Sequence, residues 1–203
     1  SQVDEDAVLA ALPGGRAFSG AATTPEDEVG ALAEAKCADV CDALCAPDSD
    51  SFDADQGALL VVGCDSMLEI SGQVVGKPTD AADARERWRL MSGGTGTLHT
   101  GHFLVRTADG AIAEGVSSAT IRFGSPSQAE IEAYVASGEP LWCAGAFTID
   151  GLGGAFIEGI DGDPHGVVGI SLPLLRRLLA DLDVVWTDLW APPPVTRPAD
   201  DAH

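Results

Sequence analysis

Two lysines, Lys36 and Lys77, are the only ones in a chain of 203 residues that carries 32 acidic and 11 basic side chains. The other nine basic residues are arginines. Lysine is a compact point charge on a flexible stem and suits phosphate oxygens. Lys36 lies among small residues in Ala-Glu-Ala-Lys-Cys-Ala, so its stem can cross its neighbours into a cleft. Its structural alternative is an intrahelical pair with Asp39, three residues on. Lys77 stands between Gly76 and Pro78, which hold the backbone open and stiff; its alternative is a solvated loop lysine. Asp65 follows an apolar run ending in Gly63-Cys64, a position where α/β folds place working groups. A carboxylate there is a candidate general base, or a cap for the following turn. Glu5, in the acidic opening Asp4-Glu5-Asp6, is a candidate hard oxygen donor or a solvated acid.

The formal charge of −21 argues against binding a nucleic-acid polymer or an anionic membrane surface, both of which call for basic patches. An anionic small molecule needs a locally positive pocket or a bridging metal in such a chain. No apolar run is long enough to span a bilayer, and no signal peptide is evident. Five cysteines form no disulfide-scaffold pattern, which fits a reducing cytoplasm. Cys37, Cys41 and Cys45 make a helical stripe expected to pack as small apolar residues, with a metal or redox centre as the alternative.

These residues need elements to hold them. Thr24-Pro25-Glu26-Asp27 is a helix start, with a capping hydroxyl, proline at the first position and acids in the first turn. The helix is expected to run to about Leu44 with Val29, Leu32, Ala33, Val40 and Leu44 inward. Residues 13–23 and 46–57 read as loops. The run 58–64 reads as a buried strand ending at Asp65, followed by a short hairpin. Asp80 caps a helix through Met91, closed by Gly93-Gly94. Residues 98–106 and 111–123 alternate around Ala108-Asp109-Gly110, a hairpin. Ser127-Gln128-Ala129-Glu130 is a capping box for a helix that stops at Gly138. Strands are expected in 145–160, a helix from Pro173 to about Leu182, and a strand in 184–190. Trp88 and Trp142 are expected to pack in the core or between lobes, with stacking on a nucleobase as the alternative. The Pro- and Asp-rich tail, 191–203, is expected to be disordered.

The order of motifs then becomes specific. Asp4-Glu5 precedes Lys36, then come Cys64-Asp65-Ser66, Gly76-Lys77-Pro78, Ser92-Gly93 and His99-Thr100-Gly101. After these come Thr120-Ile121-Arg122-Phe123, the stretch Glu130 to Pro140, Ala144-Gly145-Ala146, and Val167 to Leu174. Over roughly residues 3–180 this set resembles the Maf family, the septum-formation-inhibitor-like nucleoside triphosphate pyrophosphatases. The resemblance implies an α/β fold: an elongated mixed sheet with flanking helices, in two lobes around a deep cleft, over residues 1–190. It implies cleavage of the α–β phosphoanhydride bond of a nucleoside triphosphate, a divalent metal (Mg²⁺ or Mn²⁺), a house-cleaning role in the nucleotide pool and a homodimer.

By position in these motifs, the resemblance implies Asp65 as general base and Glu5 with Asp65 as metal ligands. It implies Lys36 and Lys77 as phosphate-binding and catalytic, and Ser66 and Asp150 at the substrate. Pyrimidine-specific members carry Thr where Ser66 stands and Gln where Asp150 stands, and a subgroup favouring a methylated guanine nucleotide carries Glu there, so base specificity stays open. Family members also open with an apolar strand and a Ser-x-Ser-Pro-Arg-Arg-like loop. This sequence begins after them, so the domain is expected to be N-terminally incomplete, with an exposed sheet edge. A second reading is a non-catalytic nucleotide-binding or division-regulating member, which would bind nucleotide without forming product.

Overall fold

The computed structural model describes residues 2–13, 23–45 and 59–190. The expected loops 13–23 and 46–57 fall almost wholly outside these residues, and the expected tail 191–203 does so entirely. A short helix, α1 (Glu5–Ala10), is capped by Asp4, whose Oδ1 accepts from the Ala7 amide at 3.1 Å. The long helix α2 (Pro25–Cys45) starts where its cap chemistry places it. The Asp27 amide donates to the Thr24 hydroxyl at 3.2 Å, and the Asp27 carboxylate accepts from the Thr24 amide at 2.8 Å.

Strand β1 (Leu60–Ile70) is longer than expected, and Asp65 sits inside it rather than at its end. The strand continues through Ser-Met-Leu-Glu-Ile, and the first turn is Ser71-Gly72, both at positive φ (52° and 77°). That turn leads into β2 (Gln73–Val75). Helix α3 (Ala81–Met91), strands β3 (Thr95–Arg106) and β4 (Ala111–Phe123), and helix α4 (Gln128–Ala136) follow the expected caps and hairpin. Helix α4 carries the complete capping box between Ser127 and Glu130.

The chain from 139 to 156 is a series of short 3-10 turns rather than strands, with only β5 (Ile157–Asp161) extended. Gly145 and Ala146 at φ 70° and 62° break any alternation there. Helices α5 (Pro164–Val168) and α6 (Leu172–Asp181) close the described order. Residues 184–190 form no strand. Asp183 turns back at φ 58°, the Val184 amide donates to the Leu179 carbonyl at 2.8 Å, and residues 186–189 wind into a 3-10 turn.

The sheet order is β2-β1-β3-β4-β5. The class is the α/β one expected. A mixed sheet was expected, but every pairing among the described residues is antiparallel. Two of these pairs are joined by tight hairpins, which impose that direction.

Because side chains alternate along a strand, the two faces have different covers. Helix α2 lies on the face that carries Val61, Gly63, Asp65 and Met67. Its Val29, Leu32, Ala33 and Cys37 are fully buried there. Val40, expected inward, is exposed, whereas Cys37 packs as the small apolar residue expected. The Cys45 side chain lies outside the described residues.

Two strand glycines set the depth of this contact. A Cβ on Gly63 would meet the Ala33 carbonyl oxygen and lie 2.7 Å from the Cys37 amide nitrogen. One on Gly101 would meet the Val29 carbonyl and lie 2.8 Å from the Gly30 nitrogen. The helix backbone therefore rests directly on the sheet.

The opposite face carries Leu68, Leu98, Ile121 and Phe123 under α3 and α4. Trp88, fully buried as expected, makes edge-on contacts with Phe123, Tyr134 and Phe156 at 5.5–6.1 Å between centroids. Such pairs add about 0.5–1.5 kcal/mol each beyond area burial. Helix α6 packs Leu174, Leu175, Leu178 and Leu179 on Leu104 and Ala113. His102 joins it to the sheet. Its Nε2 accepts from the Ser171 amide at 2.8 Å, so Nδ1 carries the proton and donates to the Thr100 carbonyl at 3.0 Å. Burial pushes the pKa of this imidazole down. No helix among the described residues is long and apolar enough to cross a membrane.

Candidate active site

Asp65 points to the α2 face, directly opposite Gly101 in the β1–β3 register. With no side chain at 101 and none at 63, α2 sits low enough for Lys36 to reach the Asp65 carboxylate, and the two form an ion pair. The same ammonium bonds Glu5 Oε1 at 2.9 Å. Glu5 comes from the first turn of α1, which is fastened to α2 in two ways. Leu9 is buried against Val29 and Leu32, and the Gln2 amide donates to Asp39 at 2.9 Å. Asp39, the alternative partner weighed for Lys36, is thus occupied elsewhere.

These contacts bring together three of the six candidate residues, which lie 29 and 31 positions from one another along the chain. The Asp65 side chain is only 12% exposed and that of Lys36 23%. Burial pushes the Asp65 carboxyl above the usual carboxylate range, and the hydrogen bond from Lys36 opposes this only in part. Burial alone would lower the proton affinity of Lys36, but its bonds to Asp65 and Glu5 outweigh that and raise it.

The other three candidates meet Asp65 at a cavity of about 280 Å³. Asp65, Ser66, Lys77 and Asp150 all line it, with Leu98, Phe147 and Ile149 as apolar wall. Ser66 is fixed by a short relay. The Thr100 hydroxyl donates to the Gly166 carbonyl at 2.8 Å, so the Ser66 hydroxyl, 2.8 Å away, donates to Thr100. The lone pairs of Ser66 are then free for a donor in the cavity.

Lys77 is exposed, and its charge contributes to holding Asp65 ionised. Its loop is held by Arg87 of α3, which donates to the Gly76 carbonyl at 2.6 Å and the Lys77 carbonyl at 3.2 Å. Asp83, one turn earlier, fixes that guanidinium through two bonds of 3.0 and 2.8 Å.

Asp150 depends on a residue that the sequence reading passed over. One carboxylate, Glu139, accepts from the Tyr134 hydroxyl (2.9 Å), the Thr148 hydroxyl (2.6 Å), and the Leu152 and Gly153 amides (3.0 Å each). These four donors wrap residues 148–153 around it. Burial works against its ionisation, but the donors prevail and hold its pKa at about 2. The only sequence signal was an acid followed by Pro140 and, ten residues on, a Gly-rich turn.

The pKa sets a direction for stability with pH. A depressed carboxyl contributes stability that is complete above its ordinary range near 4.5 and is lost as pH falls towards 2. Wild-type protein is therefore expected to lose thermal stability between about pH 4.5 and 2 more steeply than Glu139→Gln, as read by a melting series at both ends of that range. Parallel slopes for the two proteins would mean that Glu139 does not carry this load.

The structure corrects one further expectation. Trp142 does not pack in the core; it is 76% exposed and lines the cavity.

Comparison with known proteins identifies similar chains. The family model described as "Maf-like protein" matches residues 1–182. A protein of Mycobacterium sp. (strain JLS) named nucleoside triphosphate pyrophosphatase is 49% identical over 94% of this chain and 85% of its own length. A protein of the same name from Streptomyces coelicolor is 50% identical over 95% of this chain and 82% of its own. One from Rhodococcus jostii, also so named, is 50% identical over 94% and 84%.

Proposed function

Because the chain belongs to the Maf family, we propose that it is a nucleoside triphosphate pyrophosphatase. In this reading it hydrolyses the α–β phosphoanhydride bond and yields a nucleoside monophosphate and pyrophosphate. The relatives' shared name supports nucleoside triphosphate hydrolysis. The observation that carries the reading to this chain is the meeting of Glu5, Lys36 and Asp65 beside a cavity that Lys77, Ser66 and Asp150 also line.

Asp65 takes the proton of the attacking water. A general base works best with a pKa nearer the working pH than a free carboxylate has, and burial moves Asp65 in that direction. Lys36 and Lys77 hold the phosphate oxygens and neutralise the charge that builds on the leaving pyrophosphate. Ser66 and Asp150 line the cavity and meet the nucleoside.

Asp65 and Glu5 fit a hard divalent cation. Both are carboxylates, and both already reach one positive centre, the Lys36 ammonium. Bound there, Mg²⁺ or Mn²⁺ would polarise the phosphoryl oxygens and lower the pKa of a water. The protein would act in the cytoplasm on free nucleotides.

The test is pyrophosphate release from a panel of ordinary and modified nucleoside triphosphates with Mg²⁺ or Mn²⁺ present. Stoichiometric monophosphate and pyrophosphate are expected from at least one of them. Saturable nucleotide binding with no product from any would overturn the enzymatic reading.

A further inference from the structure

Trp142 is mounted in an unusual way. Its backbone is anchored on both sides: Pro140 is buried, Leu141 packs against the aromatic core, and the Cys143 thiol donates to the Glu139 carbonyl at 3.6 Å. The next turn is pinned as well, since the Trp88 indole donates to the Ala146 carbonyl at 2.8 Å. Yet the residue is 76% exposed. A large indole held in water on a rigid seat forgoes the burial that normally accounts for tryptophan in a fold. It also lines the same cavity as Asp65, Lys77 and Asp150.

Val168, on α5, is another exposed apolar side chain lining this cavity. The cavity is thus lined both by charged groups, Asp65, Lys77 and Asp150, and by exposed apolar side chains that include an aromatic ring. A nucleotide offers the same two kinds of surface in its phosphates and its base.

Resting on the nucleotide reading above, we propose that Trp142 is the platform on which the substrate's base stacks. An aromatic face accepts any base, so the ring contributes affinity and positioning without reading the base's hydrogen-bond edge. Purines, with the larger ring area, gain more from it than pyrimidines. Trp142 is in this sense a substrate-positioning residue for the base end, distinct from the groups that hold phosphate.

The experiment compares wild type, Trp142→Phe and Trp142→Ala, with a purine and a pyrimidine nucleoside triphosphate. Inorganic tripolyphosphate, which has no base, serves as a competitive inhibitor. For Trp142→Ala, KM for the purine substrate is expected to rise on the order of tenfold, with a smaller rise for the pyrimidine. kcat should fall less than KM rises, the inhibition constant of tripolyphosphate should stay unchanged, and Trp142→Phe should recover most of the loss.

Unchanged KM in Trp142→Ala overturns the proposal. So does an equal loss for tripolyphosphate, because the ring would then be supporting the phosphate loop. If wild type turns over no triphosphate, the enzymatic reading fails separately, and binding of a nucleoside monophosphate still decides the role of Trp142. Fluorescence quenching that is present in wild type and absent in Trp142→Phe supports stacking; its absence from wild type overturns it.

Discussion

Asp65→Asn is expected to lower turnover by about 10²–10⁴-fold, the usual span for loss of a general base, while leaving the fold intact. The separation of the two effects follows from where the side chain sits. An amide has nearly the shape of the carboxylate and still offers Lys36 an oxygen, so α2 stays in place on β1. It cannot take a proton from water at any working pH.

Stability should move little because two changes oppose each other. The neutral amide removes the desolvation penalty that raises the Asp65 pKa, but it leaves Lys36 with Glu5 as its one full counter-charge. A melting temperature within about 5 °C of wild type is expected. Paired kcat and melting measurements check this. Wild-type turnover in a folded Asp65→Asn protein would remove Asp65 from the chemistry.

Gly101→Ala is the second large effect, and it acts through distance. The added methyl would overlap the Val29 carbonyl and the Gly30 nitrogen, both backbone atoms of α2 with no rotamer to yield. Either the helix lifts or the strand bends. The expected cost is about 1–3 kcal/mol, as for overpacked cores, or roughly 2–4 °C per kcal/mol in a chain of this size.

Activity should fall further than stability alone explains. The same helix carries Lys36 to Asp65, and a displacement of about 1 Å can cost on the order of a hundredfold in rate. Gly30→Ala is the matched control on the other side of this interface. A Cβ there meets nothing within 4 Å, so it should be neutral or stabilise α2 by up to about 1 kcal/mol. Equal melting temperatures for Gly101→Ala and Gly30→Ala would show that the helix does not rest on the strand as described.

Local chemistry accounts for what could be read before the structure. The Thr24 start of α2, the Asp80 cap of α3, the Ser127 capping box and the β3–β4 hairpin all depend on residues within a few positions of each other. They stand where the sequence places them. The short helix α1 was missed because six residues barely form an isolated helix, and packing against α2 is what secures it. β1 was cut short because an acid in mid-strand looks like a terminator, and the cation that offsets it comes from 29 residues upstream.

The same holds within the site. Glu5, Lys36, Asp65 and Lys77 each stand out by type and motif, but the direct bond from Lys36 to Asp65 depends on two strand glycines that set a helix's height, and that to Glu5 on the packing of α1 against α2. Glu139 and Arg87 escaped notice because their work is done on backbone carbonyls and amides, which carry no mark in a sequence. Trp142 looked like core material because composition reports a ring's apolarity and not the direction in which its backbone presents it.

The scarcity of lysine has a practical side. Amine-directed reagents such as activated esters, aldehydes and acylating agents find only two ammonium-bearing side chains on this protein. Lys36 is partly buried and held by two carboxylates, whereas Lys77 stands open to solvent at the cavity. Coupling the protein to a dye or an activated support through its lysines would therefore be drawn to the cavity mouth and block it. The same bias makes acylation of Lys77 a reporter of occupancy, slowed by whatever fills the cavity and untouched by events elsewhere on the surface.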